Sequence, residues 1–567
     1  MSRITRAALR AFSLLALLLQ VGCAVSPSAL LFNLTGEEEA AGQVRGLLML
    51  AGNLRHVQPR TAPYAPVAHT GLNPFGINVF LEQEVEAWKR EKTVRMVAEA
   101  GFHWIRQGFP WEDIEIHGRG DYEDRRHEPH RSAWEKYDQI VSLANEYGLE
   151  IIARLSNPPD WSRADGDARG PMAPPDDLSD FGNYVYAVVS RYRGHIRYYQ
   201  IWNEPNIYPE WGEQAVDPEG YTRLLCEAYR RAKEADPDAV IISGALAQTI
   251  ALGERDLSDL VFLQRMYDAG AADCFDVLAV NDYLLWSAPT DRRLSPLLYV
   301  DYPRPVYLRD IMVANGDAST PIWLSEMNAN AVPDDPSIQG WGAYGQVTLE
   351  QQARYAPLAY QRAMEEWPWV GVVSFWFFRR ASDEERNQSW YYFRMVEPDF
   401  TPLPVYEAMR QYIASVTPTL YPGTHQEGHW GLAYEGAWES VEDERAVLGA
   451  YRRSTQGGAT VAFSFVGNSL SLTPGPGRGE AEVVVDDRPA RRVRLTGAPL
   501  RLFWGWTEAR HQARITVVAG EVGVDSLTVG APEWHVWVGR VALGGVGAAF
   551  VWFALRRRSR RPSAAAG

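Results

Sequence analysis

The strongest constraint on this chain is a rhythm. Short apolar runs begin at Phe75 ("FGINVFL"), Phe102 ("FHWIRQG"), Glu150 ("EIIARLS"), Tyr198 ("YYQIWNE"), Ala239 ("AVIISGAL"), Phe275 ("FDVLAVNDY"), Pro321 ("PIWLSEMN") and Val370 ("VGVVSFWFF"). Each is short and apolar enough for a buried strand. Between them lie stretches such as "EVEAWKREKTVRMVAEAG", "GYTRLLCEAYRRAKEADPD" and "LEQQARYAPLAYQRAMEEW", where apolar residues recur every three or four positions, as on one face of a helix. A helix between two strands returns the chain to the same end of the sheet, so the strands run parallel. Eight such units in about 340 residues fit a closed (β/α)8 barrel better than an open sheet.

A barrel of this kind builds its active site from residues at the C-terminal ends of its strands. The run "YYQIWNEPN" brings Glu204 to the point where the fourth apolar strand stops, and "WLSEMNA" brings Glu326 to the end of the seventh. Two glutamates on opposite parts of one rim can face each other across the mouth. Cleavage of a glycosidic bond needs such a pair: one carboxyl protonates the departing oxygen, and the other attacks the anomeric carbon or activates water. Their surroundings must hold the two pKa values apart, so that one stays protonated while the other is charged. Either glutamate alone is more often a helix cap or a salt-bridge partner than a catalyst. Their joint placement points to catalysis.

"IWNEPN" on the fourth strand with "LSEMN" on the seventh resembles clan A of the glycoside hydrolases, especially the β-glycosidases of families 39 and 5, from Pro74 to Ile413. The resemblance implies a retaining O-glycosidase, with Glu204 as general acid/base and Glu326 as nucleophile. It further implies that Asn203 holds the sugar 2-hydroxyl and that Arg106, in "WIRQGFPWEDIE", keeps the nucleophile ionised. Tyr283 would hydrogen-bond the nucleophile, and Trp376 would lie under the reacting sugar. Members of these families often carry "His-x-Tyr" at the sixth strand's end, whereas "AVNDYLL" has Asn281 in the histidine's place. Asparagine cannot carry a proton, but the departure leaves both carboxylates in position, so altered substrate contacts are expected more than lost activity. Trp202, inside the strand, is expected to pack. The implied mechanism uses no metal and no cofactor. Two other functions remain open: a catalytically silent, membrane-tethered sugar-binding protein, against which the two intact glutamates weigh, and a transglycosylase sharing the covalent intermediate.

Long loops rich in Pro, Asp and aromatics follow the third and sixth runs, and Asp160, Trp161 and Trp286 in them serve either as sugar contacts or as loop anchors. The barrel is expected over residues 71–420, after an extension over 26–70 with no visible domain. From 421 to 530 short alternating runs replace the helical rhythm, with Gly467-Asn468 and Asp486-Asp487 as turn signals, which predicts an antiparallel β-sandwich. That module is either carbohydrate-binding or a spacer, and its "LFWGWTEARH" is either a sugar platform or core.

Both ends speak about location. Arg3, Arg6 and Arg10 precede an apolar run from Ala11 to Val21, which makes 1–25 a secretory signal or an uncleaved anchor. Trp534 to Leu555 is long enough to cross a ~30 Å hydrocarbon layer and has tryptophans near its ends. The arginines of the 556–567 tail would stay cytoplasmic, which places the rest of the chain outside as a C-terminally anchored cell-membrane protein. The substrate implied is then an oligo- or polysaccharide met at the surface. A formal charge of −15 argues against a nucleic-acid partner, whose phosphates would be repelled. Cys226 and Cys274 either pair or remain buried thiols.

Overall fold

All eight apolar runs are strands in the computed structural model, which describes residues 27–53, 58–294 and 300–531. They are β1 (Phe75–Val79), β2 (Trp104–Pro110), β3 (Glu150–Ser156), β4 (Tyr198–Ile201), β5 (in two segments, Val240–Ile242 and Leu246–Ala247), β6 (Leu278–Asn281), β7 (Ile322–Met327) and β8 (Val370–Phe375). The parallel order β5–β4–β3–β2–β1–β8–β7–β6 returns to β5, because Ile242 bridges Val277 while Leu246 and Ala247 pair with Val280 and Asn281. The sheet therefore closes as a (β/α)8 barrel.

Two helices precede the barrel, α1 (Pro27–Thr35) and α2 (Ala40–Asn53). The sequence showed no element there, since short helices owe their stability to tertiary contacts more than to propensity. Those contacts are visible: Thr290 Oγ1 donates to the Phe32 carbonyl at 2.8 Å, and Arg293 pairs with Glu37 at 2.9 Å. One helix then follows each barrel strand: α3 (Ala87–Glu99), α4 (Glu135–Glu146), α5 (Leu178–Tyr192), α6 (Pro218–Ala235), α7 (Asp259–Asp268), α8 (Pro305–Ala314), α9 (Leu349–Glu366) and α10 (Pro404–Ser415). Local chemistry starts several of them. Asp217 caps α6 from the Gly220 amide, with Pro218 in the first turn, and Thr348 and Gln351 form a capping box on α9. Cys226 of α6 and Cys274 are joined as a disulfide.

Side chains on a strand alternate, so residues two apart share a face. Inside the barrel the lower layer is apolar and aromatic: Trp104, Tyr198 and Trp323 meet with ring centroids 5.0 to 5.6 Å apart. Gly371 makes room for the Trp323 indole, into which any Cβ there would run. Two residues further along the same strands the interior turns polar, with Arg106, Gln200 and Ser325. That change of layer positions the site.

Among the described residues, those from Thr417 to Ala531 form a second compact unit. Its strands include β9 (Gly423–Gln426), β10 (Glu439–Glu442), β11 (Ala450–Ser454), β12 (Thr460–Thr473), β13 (Gly479–Val485), β14 (Arg491–Leu495), β15 (Leu500–Gly520), β16 (Val522–Val524) and β17 (Ser526–Gly530), with two short strands, Thr419–Leu420 and Ala433–Glu435, alongside β12. One sheet runs β9–β17–β12–β15–β13–β14 and a second β10–β11–β16, and one hydrophobic core holds residues of both, Val461 and Leu470 with Val522 and Val524. Gly467-Asn468 is not a turn. It lies within β12, where a side chain at Gly467 would meet Val529 and the Gly530 carbonyl, so glycine there serves close strand approach. The segments read as a signal (1–25), a membrane span (534–555) and a basic tail lie outside the described residues. Among those described, no helix is long and apolar enough to cross a membrane.

Candidate active site

Arg106 is the hub of the site. Buried on β2, it donates from Nε to Gln200 Oε1 (2.6 Å), from Nη1 to Asn78 Oδ1 (2.7 Å) and Glu326 Oε1 (2.8 Å), and from Nη2 to Asn203 Oδ1 (2.8 Å). Its partners are themselves fixed. Asn78 Nδ2 donates to the Ser325 carbonyl at 2.8 Å, and Gln200 Nε2 to Ser325 Oγ at 3.1 Å and the Ser243 carbonyl at 3.2 Å. One network thus ties β1, β2, β4 and β7 at a single level.

Glu326 is 3% exposed and accepts from Arg106 on Oε1 and from the Tyr283 phenol on Oε2. Burial, with the charges of Glu326 and Glu204 adding, pushes that phenol well above its ordinary value, so it stays a donor. Both Ser325 and Glu326 reach inward because the register of β7 against β6 slips between Leu324 and Glu326. A bulge re-aims a side chain in this way. Tyr283 is held in turn by Gln248, whose Oε1 accepts from its amide at 2.5 Å.

Glu204 is treated oppositely. It is half-buried, and burial drives its carboxyl up to about 8 from 4.5, helped by the charges of Glu326 and Glu210 and opposed by Asn281 and Arg106. Asn281 Nδ2 donates to Glu204 Oε1 at 2.7 Å. The backbone that presents it is strained: Trp202 has φ +76° and Glu204 φ +40°, a region that large side chains rarely occupy. Surrounding bonds hold it there, with the Glu204 amide on the Ala245 carbonyl (2.8 Å), Asn206 Nδ2 on the Ala247 carbonyl (2.9 Å), and the Trp202 indole on the Glu210 carbonyl (2.7 Å).

The structure therefore brings Glu204, Glu326, Asn203, Arg106, Tyr283 and Asn281 into one linked group. Trp376 is half-buried at the end of β8, edge-on to Phe80 at 5.5 Å, and Trp202 is buried against Trp211 and Phe181. Asn281 also donates to the Glu204 carboxyl, from the end of β6 where it lies in register with Glu326. Trp161 is a loop anchor, donating to the Glu115 carbonyl at 2.7 Å, while Trp286 is 59% exposed and Asp160 lines a polar cleft at the ends of β1 to β3. That cleft, of about 520 Å³, is also lined by Glu82, Glu112, Lys136, Arg154 and Asn157. Sequence reasoning missed Asn78 and Gln200, whose signal was a lone polar residue inside an apolar strand. It also missed Glu210, whose carboxyl burial pushes up to about 7, and Tyr344, whose phenol is raised by burial and by Glu204.

Removing Arg106 would leave the buried Glu326 carboxylate short of its cation. Arg106→Ala is expected to lower stability by about 3–5 kcal/mol in urea unfolding, the usual cost of breaking a buried ion pair from one side. A loss below 1 kcal/mol would show that the pair is not buried as described.

These features define a (β/α)8 barrel with two neighbouring, differently held carboxyls at its C-terminal mouth. No family model matches the chain, and no curated protein does. Among solved structures it is similar to a family 39 glycoside hydrolase from the gut symbiont Bacteroides cellulosilyticus WH2, at 18% identity, covering 78% of this chain and 80% of that one, with TM-score 0.46. A monomeric beta-xylosidase from Caulobacter crescentus CB15 is similar at 14% identity, covering 82% and 98%, with TM-score 0.42. Native xylanase 10B from Thermotoga maritima is similar at 16% identity, covering 61% and 96%, with TM-score 0.39.

Proposed function

We propose that this chain is an O-glycoside hydrolase of clan A type, cleaving β-linked oligo- or polysaccharide with retention of configuration. The observation that carries the reading is the opposite treatment of two neighbouring glutamates: Glu204 is pushed towards its neutral form, while Glu326 accepts from a guanidinium and a phenol.

In the first step Glu326 attacks the anomeric carbon as Glu204 passes its proton to the departing oxygen, so the glycosidic bond breaks and a glycosyl ester forms on Glu326. Glu204, now a carboxylate, takes a proton from water as that water attacks the same carbon and frees Glu326. Asn203, held by Arg106, faces the sugar 2-hydroxyl in this scheme, and Trp376 lies under the ring. The polar cleft at the ends of β1 to β3 suits sugar hydroxyls. The apolar run 534–555 and its basic tail support anchoring at the cell membrane with the barrel outside. Hydrolysis of aryl β-glycosides and a polysaccharide panel, with product configuration followed by NMR, tests the proposal. An α-configured first product from a β-glycoside would sink retention.

The pH profile gives a signed test. Glu204 must be protonated to act as the acid, so turnover of substrates with poor leaving groups is expected to fall as pH rises past about 8. The Asn281 hydrogen bond favours the charged carboxylate, so Asn281→Ala should move this alkaline limb to higher pH. The Glu210 charge opposes ionisation, so Glu210→Gln should move it lower. Shifts in the same direction for both variants would contradict the assignment of that limb to Glu204.

A further inference from the structure

We propose that the second unit carries a docking surface for the headgroup layer of an anionic lipid bilayer, built from Trp504, Trp506 and an arginine-rich cleft. The tryptophans are not core, because Trp504 is 45% and Trp506 80% exposed. Their position explains this. Trp504 pairs with Ser469 of β12 and Ala509 with Gly467, so residues 505–508 bulge outward opposite Asn468 with Trp506 in the bulge. The two indoles meet edge to face, with centroids 4.6 Å apart and planes at 70°. Planes crossed at 70° present no continuous flat platform for successive sugar rings. Interfacial insertion needs only an amphipathic ring exposed at headgroup level.

The charge is as specific. From Arg488 to Arg501 the chain has five arginines and no acidic residue, in a protein of formal charge −15. Among the described residues only Arg494 of the five pairs with a carboxylate, Glu480 at 3.0 Å. Arg488, Arg491 and Arg501 line a cleft of about 320 Å³ together with Trp504. Arg488 lies over the Phe503 ring at 4.3 Å, and Arg491 donates to the carbonyls of Arg501 (2.7 Å) and Leu502 (3.0 Å). Arg488 follows Asp486 and Asp487 and its charge acts on Asp486, whereas Arg491 and Arg501 make no salt bridge among the described residues; guanidinium groups beside an exposed indole fit a phosphate headgroup with its glycerol edge.

The chain's exit selects the bilayer over other anions. Ser469 pairs on one side with Trp504 and on the other with Gly530, the last residue of β17. Two strand spacings put the exit about 10 Å from Trp504. The apolar run 534–555 begins three residues after Ala531. In this last respect the proposal rests on the reading of 534–555 as a membrane span. A chain entering a bilayer so close to this face holds the tryptophans and arginines within reach of the headgroups, where each arginine near an anionic surface strengthens binding about fivefold.

The test uses residues 27–531, which contain both compact units with their own cores and lack the apolar run. Flotation with vesicles of 30% phosphatidylglycerol in phosphatidylcholine should carry this chain upward at low salt, while pure phosphatidylcholine should not. Trp506→Ala and Arg501→Glu should each weaken binding at least about fivefold, with far-UV circular dichroism and hydrolysis of a soluble aryl glycoside unchanged. Absence of flotation, or flotation insensitive to both changes, overturns the proposal. So does capture on a polygalacturonate gel that the same changes abolish without any vesicle binding, which would make the face a sugar site. Carbonate extraction of membranes holding the full chain reports separately on the 534–555 anchor, so failure of one reading is distinguishable from failure of the other.

Discussion

Glu326→Ala is expected to be almost without activity, slower by about 10⁴- to 10⁶-fold, the range seen when a nucleophile is removed from a site that otherwise still binds substrate. No other described side chain takes its place: Glu326 sits between Arg106 and Tyr283, whereas Glu204 and Glu210 are both pushed towards neutrality. Alanine also leaves the Arg106 guanidinium buried beside a void, which confuses loss of chemistry with loss of stability. Glu326→Gln separates the two. Its amide oxygen still accepts from Arg106, so the barrel should stay folded while the attack on carbon is lost. A 2-deoxy-2-fluoro glycoside with a good leaving group should form an ester that accumulates on the parent enzyme, because the fluorine slows both steps through an oxocarbenium-like transition state. Mass spectrometry should place the added sugar on the peptide carrying Glu326. Label on any other residue, or full activity in Glu326→Ala, would remove it from the nucleophile's role.

What could be read before the structure was the part of the fold that repeats. Each strand was an apolar run bounded by helical periodicity, and the strand count alone placed Glu204 and Glu326 at the rim. The supporting network was hidden for a physical reason. Asn78 and Gln200 are polar residues in the upper interior layer, and a one-dimensional pattern cannot show that both point at Arg106 rather than outward. Glu210 was hidden differently: it is six residues past Glu204 in a proline-containing loop, and the strained turn, the Trp202 indole bond to its carbonyl and its own amide bond to the Ile207 carbonyl hold it by the mouth. Asn281 was seen, but its bond to Glu204 was not, because that contact depends on the register of β6, which sequence does not contain. Helices α1 and α2 escaped because their stability comes from contacts more than two hundred residues away, such as Arg293 on Glu37.

Glu204→Ala should slow hydrolysis of glycosides with poor leaving groups by about 10² to 10⁴-fold, the usual contribution of a positioned acid. With activated aryl glycosides the first step needs little acid help, so ester formation should stay fast and its hydrolysis should become limiting. Azide, which needs no base to attack, should then restore turnover and give a β-glycosyl azide. The companion change Glu204→Gln should raise stability. An unfolded glutamate ionises near 4.5, whereas the folded site holds this carboxyl up to about 8, so across that window folding must take up a proton and stability falls as pH rises. Removing the group removes that loss. The melting difference between Glu204→Gln and the parent should therefore be absent below pH 4.5, grow through the window and level off above 8. A residue that costs the fold stability at the pH where it is needed is kept for chemistry rather than for packing. A melting difference that is flat with pH would mean that Glu204 is not held protonated, and the acid would have to be sought in another carboxyl that burial pushes up, first Glu210, whose charge acts on Glu204.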